Sequence, residues 1–297
     1  MRRSRAVVLI VLFGLGALAA CGFDGVGSLA PGDVTPAGDA SSGSSDAALP
    51  PSREGGPVAE DASSDALVDA ADGGLRFPFV YGHTVSTLYR LDPVTKAFAV
   101  VGPLTGCLNM ADIAVDRDGK IVGVGSALYA IDPATGACTT LALGVQPFTL
   151  SFVPAGTVDS TEEALVAYVG ADYYRVNRTT GALTLITLSA IYPYYPSGDV
   201  VSVEGGGTYV SVTGLGCGDC LLEVSPVDGT IVKELGSIGQ SQVFGLGEWS
   251  GKVYAFAGNG ETYELTIGAS SVTSTLIPYA NKPTSWIGGG SSTRAPK

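Results

Sequence analysis

The sequence predicts an all-β protein: a single β-propeller of five four-stranded blades, with a six-bladed ring as the alternative. Three observations predict it. A strand-and-turn phrase, complete at Leu128-Tyr-Ala-Ile-Asp-Pro-Ala-Thr-Gly136, returns at 88–96, 174–181 and 222–229 and, degenerately, at 263–268. Aligning Asp92, Asp132, Asn177, Ser225 and Thr266 gives spacings of 40, 45, 48 and 41 residues, and strand-like units recurring at about 40–45 residues mark propeller blades. Glycine fills 42 of 297 positions while charged residues make up 15%, which suits tight strand connections more than helices.

The N-terminus comes first. Met-Arg-Arg-Ser-Arg precedes a 15-residue apolar run, 6–20, too short and wrongly flanked for a comfortable membrane span. The run ends in Leu18-Ala19-Ala20-Cys21, which resembles the lipobox of bacterial lipoproteins. That resemblance implies a signal peptide over 1–20, cleavage before Cys21, lipidation of Cys21 and export. Gly22, where an Asp would signal inner-membrane retention in that family, implies the outer membrane of a Gram-negative-type envelope. Residues 21–76 then read as the lipidated Cys and an acidic, Ala/Ser/Gly/Asp/Pro-rich disordered tether. Ten acidic residues stand there against Arg53 and Arg76, with Phe23 the sole aromatic. Such a composition buries too little apolar surface to offset its ordering entropy. As a flexible coil it spans roughly 40 Å.

Residues 77–290 form the propeller. The second blade is the most complete: 113–116 as strand A, Arg117-Asp118-Gly119 as a hairpin turn, then 120–124, 128–132 and 138–141 as B, C and D. The Asp132–Gly136 turn has a mechanism, because Asp132 can cap its own backbone, Pro133 fixes φ and Gly136 can take the left-handed position. Blade 3 follows with strands at 150–153, 164–169, 173–177 and 183–187. Blade 4 follows with 200–203, 208–213, 221–225 and 231–235, and blade 5 with 244–248, 252–257, 261–266 and 272–276. Blade 1 has only B, C and D, at 77–81, 87–92 and 97–101. Its missing strand A is assigned to 282–288, so that the C-terminus closes the ring and hides two strand edges. Gly288-Gly-Gly290 and 291–297 read as a tail. The LDPxTG-like phrase resembles the NHL/YVTN-type and quinoprotein-like propeller repeats of bacterial envelope proteins. Propellers host enzymes and binding modules alike, so the fold selects no function.

In a propeller the D–A and B–C connections share one face, and this face holds the candidate site. Tyr192, Tyr194 and Tyr195 crowd the connection into blade 4, offering stiff amphipathic surface for a sugar ring or a partner. Asn109, Asp112, Gln146, Asp199 and Gln242, at or just before strands A, are expected to rim the channel mouth. Together these groups suit a glycan, a peptide or an envelope protein. On the opposite face Asp116, Glu204 and Glu248 read as soluble hairpin residues.

Other chemistries find little support. The net charge of −12 opposes nucleic-acid binding. The single histidine, His83, reads as a turn or rim residue. No G-x-S-x-G nucleophile elbow and no metal-ligand set is present, so no metal or cofactor is expected. Asp112 and Asp199 are the pair a glycosidase- or lyase-type enzyme would use, and a pure scaffold is the third reading. Cys217 and Cys220 read as a local disulfide within a B–C connection. Cys107 and Cys138 are expected toward opposite faces, which argues against their pairing.

Overall fold

The computed structural model describes residues 67–68, 75–76, 79–144, 147, 149–214 and 216–297. A short hairpin pairs β1 (Leu67–Val68) with β2 (Leu75–Arg76). The rest is five four-stranded antiparallel sheets. Blade 1 contains β3 (Val80–His83), β4 (Thr87–Leu91) and β5 (Phe98–Pro103). Blade 2 is β6 (Asp112–Val115), β7 (Ile121–Val124), β8 (Ala127–Ile131) and β9 (Cys138–Leu143). Blade 3 is β10 (Ser151–Val153), β11 (Ala164–Val169), β12 (Asp172–Val176) and β13 (Leu183–Thr187). Blade 4 is β14 (Tyr195–Ser202), β15 (Thr208–Gly214), β16 (Cys217–Val224) and β17 (Ile231–Ser237). Blade 5 is β18 (Val243–Trp249), β19 (Lys252–Ala257), β20 (Thr262–Ile267) and β21 (Val272–Ile277). The chain ends with β22 (Gly288–Ser291), which pairs antiparallel with β3 and supplies the inner strand of blade 1.

The repeated turn is built as its residues dictate. The Asp132 carboxylate accepts the Ala134 N–H at 2.8 Å, and Gly136 donates to the Asp132 carbonyl at 2.8 Å with φ +77°. Asp92 and Asn177 accept the same way in blades 1 and 3. Blade 1 departs in one respect: Lys96 takes the left-handed position at φ +60°, and its ammonium bonds Tyr254 and Glu264 of blade 5.

Between the strands the core is divided by blade interface. Buried aliphatic and aromatic side chains form five clusters, one at each junction of neighbouring blades. The junction of blades 5 and 1 centres on Trp286, fully buried and packed edge-on against Tyr89 and Phe256.

Ring closure therefore occurs, but six residues later than the sequence suggests. Trp286 is too large for the crowded axis and fills the blade junction instead. The inner strand is the glycine run read as a tail, because only glycine fits there: a β-carbon on Gly289 would lie 2.7 Å from the Phe256 ring.

Residues 291–297 are likewise no free tail. Ser292 pairs with Val115 and its hydroxyl donates to the Asp116 carbonyl at 2.9 Å. Thr293 donates to Glu163 and accepts the Glu204 N–H at 2.7 Å, and the Pro296 carbonyl accepts the Ser250 N–H. The segment thus touches blades 2, 3, 4 and 5 and covers the A–B end of the channel. This is why Asp116 and Glu248 are buried where exposed hairpin carboxylates are expected, while Glu204 is exposed. Burial pushes the Glu248 carboxyl up to about 8.

Two disulfides are present among the described residues. Cys107–Cys138 has a Cα–Cα distance of 5.4 Å, contrary to the expectation that these residues face apart. The reason is blade twist. Adjacent strands rotate by about 20–25°, so an outermost strand leans steeply across its blade. The end of β5 consequently reaches the C–D turn of blade 2, where Cys138 donates to the Thr105 carbonyl at 2.8 Å. Cys217–Cys220 has a Cα–Cα distance of 5.9 Å and opens β16 rather than lying in a loop.

Candidate functional site

The channel mouth on the D–A/B–C face opens into a cavity of about 480 Å³. Every blade contributes a residue immediately ahead of, or early in, its inner strand: Ile287, Ala111, Thr149, Gly198 and Phe244 from blades 1 to 5. Tyr168, Val169 and Gly170 from blade 3 and Tyr195, Pro196 and Ser197 from blade 4 complete the wall. Blade 4 dominates because β14 starts early. Tyr195 and Pro196 already pair with Thr213 and Val212, and the register then slips before Val200. The intervening residues form a bulge, which re-aims side chains at a strand rim.

The wall is mostly apolar, and two of its four hydroxyls are committed. Thr149 accepts the Tyr168 N–H at 2.8 Å, and the Tyr168 hydroxyl donates to the Gly229 carbonyl at 2.7 Å. Ser197 differs: its Oγ is buried without a partner among the described residues.

Directly beneath lies a polar hub. Asp112 and Asp199 are fully buried and hydrogen-bonded to one another, side chain to side chain. Asp112 Oδ2 accepts the Leu150 N–H of blade 3 at 2.7 Å, and Asp199 Oδ2 accepts the Leu246 N–H of blade 5 at 2.8 Å. The Gly289 amide of blade 1 also reaches Asp112. Two carboxyls thus tie all five inner strands together. Burial holds both well above the usual carboxylate range, and the Asp112 charge raises Asp199 further. Like charges in contact cannot both ionise, so the pair retains a proton.

His83 completes the hub. It is wholly buried, not a rim residue. Its Nδ1–H donates to the Thr84 carbonyl at 2.8 Å, which leaves Nε2 as a lone pair with no partner among the described residues. Burial pushes its pKa down to about 4, so the imidazole is neutral.

The sequence-derived candidates separate accordingly. Tyr195 alone of the three tyrosines lines the cavity. Tyr194 is 6% exposed, inside the core between blades 3 and 4, and Tyr192 is 65% exposed but outside the cavity wall. Asp112 and Asp199 come together, but under the mouth rather than around its rim. Asn109 is exposed and donates to Ser126 at 2.9 Å, and Gln242 is exposed with its N–H on Asp219; neither lines the cavity. Gln146 and Cys21 lie outside the described residues.

Sequence reasoning missed Ala111, Thr149, Phe244 and Ile287. A signal existed, since each stands, like Asn109 and Gln242, within a few residues of the start of an inner strand, but the search favoured polar residues. Among the described residues no cluster of His, Cys, Asp or Glu has the geometry of a metal site.

No protein-family model matches the chain, and no curated protein matches it. Solved structures with a similar fold include a Bacteroides caccae protein of unknown function at 14% identity, covering 65% of this chain and 70% of that one, TM-score 0.37. BamB from Moraxella catarrhalis is similar at 9% identity, covering 71% and 60%, TM-score 0.35. Virginiamycin B lyase from Staphylococcus aureus is similar at 13% identity, covering 69% and 72%, TM-score 0.37. These likenesses concern the fold alone.

Proposed function

We propose that this chain is a lipid-anchored binding module of the bacterial envelope that takes a compact, apolar-bodied ligand into the channel mouth of its propeller. The cavity is the observation that carries this reading. Its volume of about 480 Å³ falls within the range of about 300–1,000 Å³ usual for small-molecule sites, which are likewise mostly apolar with a few placed polar groups. Phe244, Ile287, Val169 and Pro196 supply the apolar wall and Tyr195 an exposed aromatic edge. That wall favours a small hydrophobic body over the oligosaccharide suggested by the tyrosine-rich loop. The lipid anchor rests on Leu18–Cys21, and the acidic stretch 22–76 would hold the propeller clear of the headgroups.

Ligand-induced thermal shift of the full chain in detergent, with compact aromatic and alicyclic compounds, tests the binding reading. Hits weakened at least about tenfold by Phe244→Ala, roughly 1.4 kcal/mol, would support it; the absence of any stabilising compound would sink it. For the anchor, metabolic lipid labelling should disappear in Cys21→Ser.

A further inference from the structure

We propose that the mouth face docks an uncharged, apolar segment of a partner protein, which anchors a large side chain in the cavity. This rests on the channel mouth being the binding site.

Charge divides unevenly between the two ends of the propeller. The ten D–A and B–C connections hold two charged residues, Glu261 and Lys282, and these pair with each other at 3.3 Å. The nine A–B and C–D connections hold thirteen. Near the strand ends that adjoin the mouth face, Asp112, Asp199 and Asp219 are buried, and Asp172 accepts the Ser189 N–H at 2.7 Å.

Exposed apolar side chains divide the opposite way. Val85, Leu108, Leu143, Leu188 and Tyr192 stand exposed on the mouth face, in addition to Val169 and Tyr195 of the cavity wall. The connections of the other face expose only Val94 and Val227 among the large hydrophobics of the described residues. Part of this apolar surface is fastened to the mouth. The Ser189 bond to Asp172, with the Ile191 N–H on the Ala171 carbonyl at 3.2 Å, ties the 188–194 loop to the blade 3 turn. Val169 and Gly170 of that turn line the cavity. Single apolar residues are ordinary on a surface, but a charge-poor, tyrosine-bearing face around a cavity has the make-up of an interface core.

Two other occupants fail on charge or shape. Peripheral binding to anionic lipid draws on Lys and Arg, and the connections of this face supply only Lys282, already paired. A bilayer surface would also leave the cavity unfilled. Two copies joined mouth to mouth about a two-fold axis would set one cavity against the other and fill neither. A partner side chain fills it. The cavity of about 480 Å³ has no charged residue in its wall among the described residues, so a charged anchor would lose its hydration without a counter-charge. An apolar or aromatic anchor in a pocket, ringed by contacts that exclude water, is the usual form of a binding hot spot; Leu188 and Tyr192 supply part of that ring.

Panning a phage library of random dodecapeptides on the full chain tests this. Selected peptides should be poor in charge, carry Trp, Phe or Leu, and bind Ala111→Phe at least about tenfold more weakly than wild type. The surface pair Leu188→Ser and Tyr192→Ser should weaken the same peptides about fivefold or more, yet leave compact aromatic compounds unaffected, since neither residue lines the cavity. Hydrogen exchange of the 188–194 loop should slow with a selected peptide. It should not change between detergent and phosphatidylcholine nanodiscs, or with protein concentration. Protection gained in nanodiscs would assign the face to the bilayer, and protection that grows with concentration to a second copy; either overturns the proposal. Selection of charged peptides, or equal binding to the filled variant, would overturn it too. Compact compounds that bind while no peptide is selected would keep the mouth as a site and remove the protein partner. If neither binds, both readings fall.

Discussion

Replacing Glu248 with Gln should make the propeller more resistant to alkaline conditions. Glu248 sits on β18 beneath the C-terminal segment, with its backbone N–H on the Ser291 hydroxyl at 2.8 Å and Oε2 buried without a partner among the described residues. Burial is the cause of its rise from 4.5 to about 8. The sign follows from proton counting. Between those values the folded protein holds a proton that the unfolded chain has released, so stability is full below 4.5 and falls as pH rises toward 8. At about 1.4 kcal/mol per pH unit, the ceiling is roughly 5 kcal/mol. Gln keeps the shape and removes the titration, adding only a pH-independent offset for its unpaired amide. Buried Asp112, Asp199 and Glu163 slope the same way in both proteins, so the difference isolates Glu248. Urea unfolding followed by fluorescence of Trp249 and Trp286 at pH 5, 6.5 and 8 measures it. The variant should gain about 3–5 kcal/mol over wild type between pH 5 and 8. Parallel curves across that interval would refute the burial of an unpaired carboxyl there.

Three further outcomes are expected. His83, neutral in the fold with a pKa near 4 against an ordinary 6.5, removes stability as pH falls from 6.5 to 4. His83→Asn should flatten that acid limb by up to about 3 kcal/mol, read from the same unfolding curves. Gly288→Ala places a methyl between His83 and Asp112 and should cost about 1–3 kcal/mol or more, seen as a lowered Tm. The Cys107–Cys138 bridge spans a sequence separation of 31, so Cys138→Ser should lose roughly 3–4 kcal/mol; non-reducing peptide mapping should find the pair in wild type.

What was legible in the sequence is what short-range chemistry enforces. The Asp132–Gly136 turn counts the blades because its capping carboxylate and left-handed glycine act within five residues. Alternating strand residues place the inner strands to within a few positions. What escaped depends on three-dimensional sums. The closing strand is Gly288–Ser291 rather than the stretch around Trp286, because packing at the axis rewards the absence of a side chain. The Cys107–Cys138 pair follows from twist accumulated over a whole blade. Tyr192 and Tyr194 drew attention by composition, yet one faces outward and the other is core. The mouth is instead built mainly by apolar residues at a register position whose polar occupants alone looked functional.

The most direct test of the channel mouth as the binding site is ligand-observed NMR of a fragment library against the full chain and its Ala111→Phe variant. Ala111 holds its place through a backbone bond to Val124 at 2.8 Å, so a ring at this position fills the cavity without breaking the ladder. Binding of the wild-type hits should vanish in Ala111→Phe while its Tm without ligand stays within a few degrees of wild type. An unchanged set of hits in the filled variant would contradict the assignment.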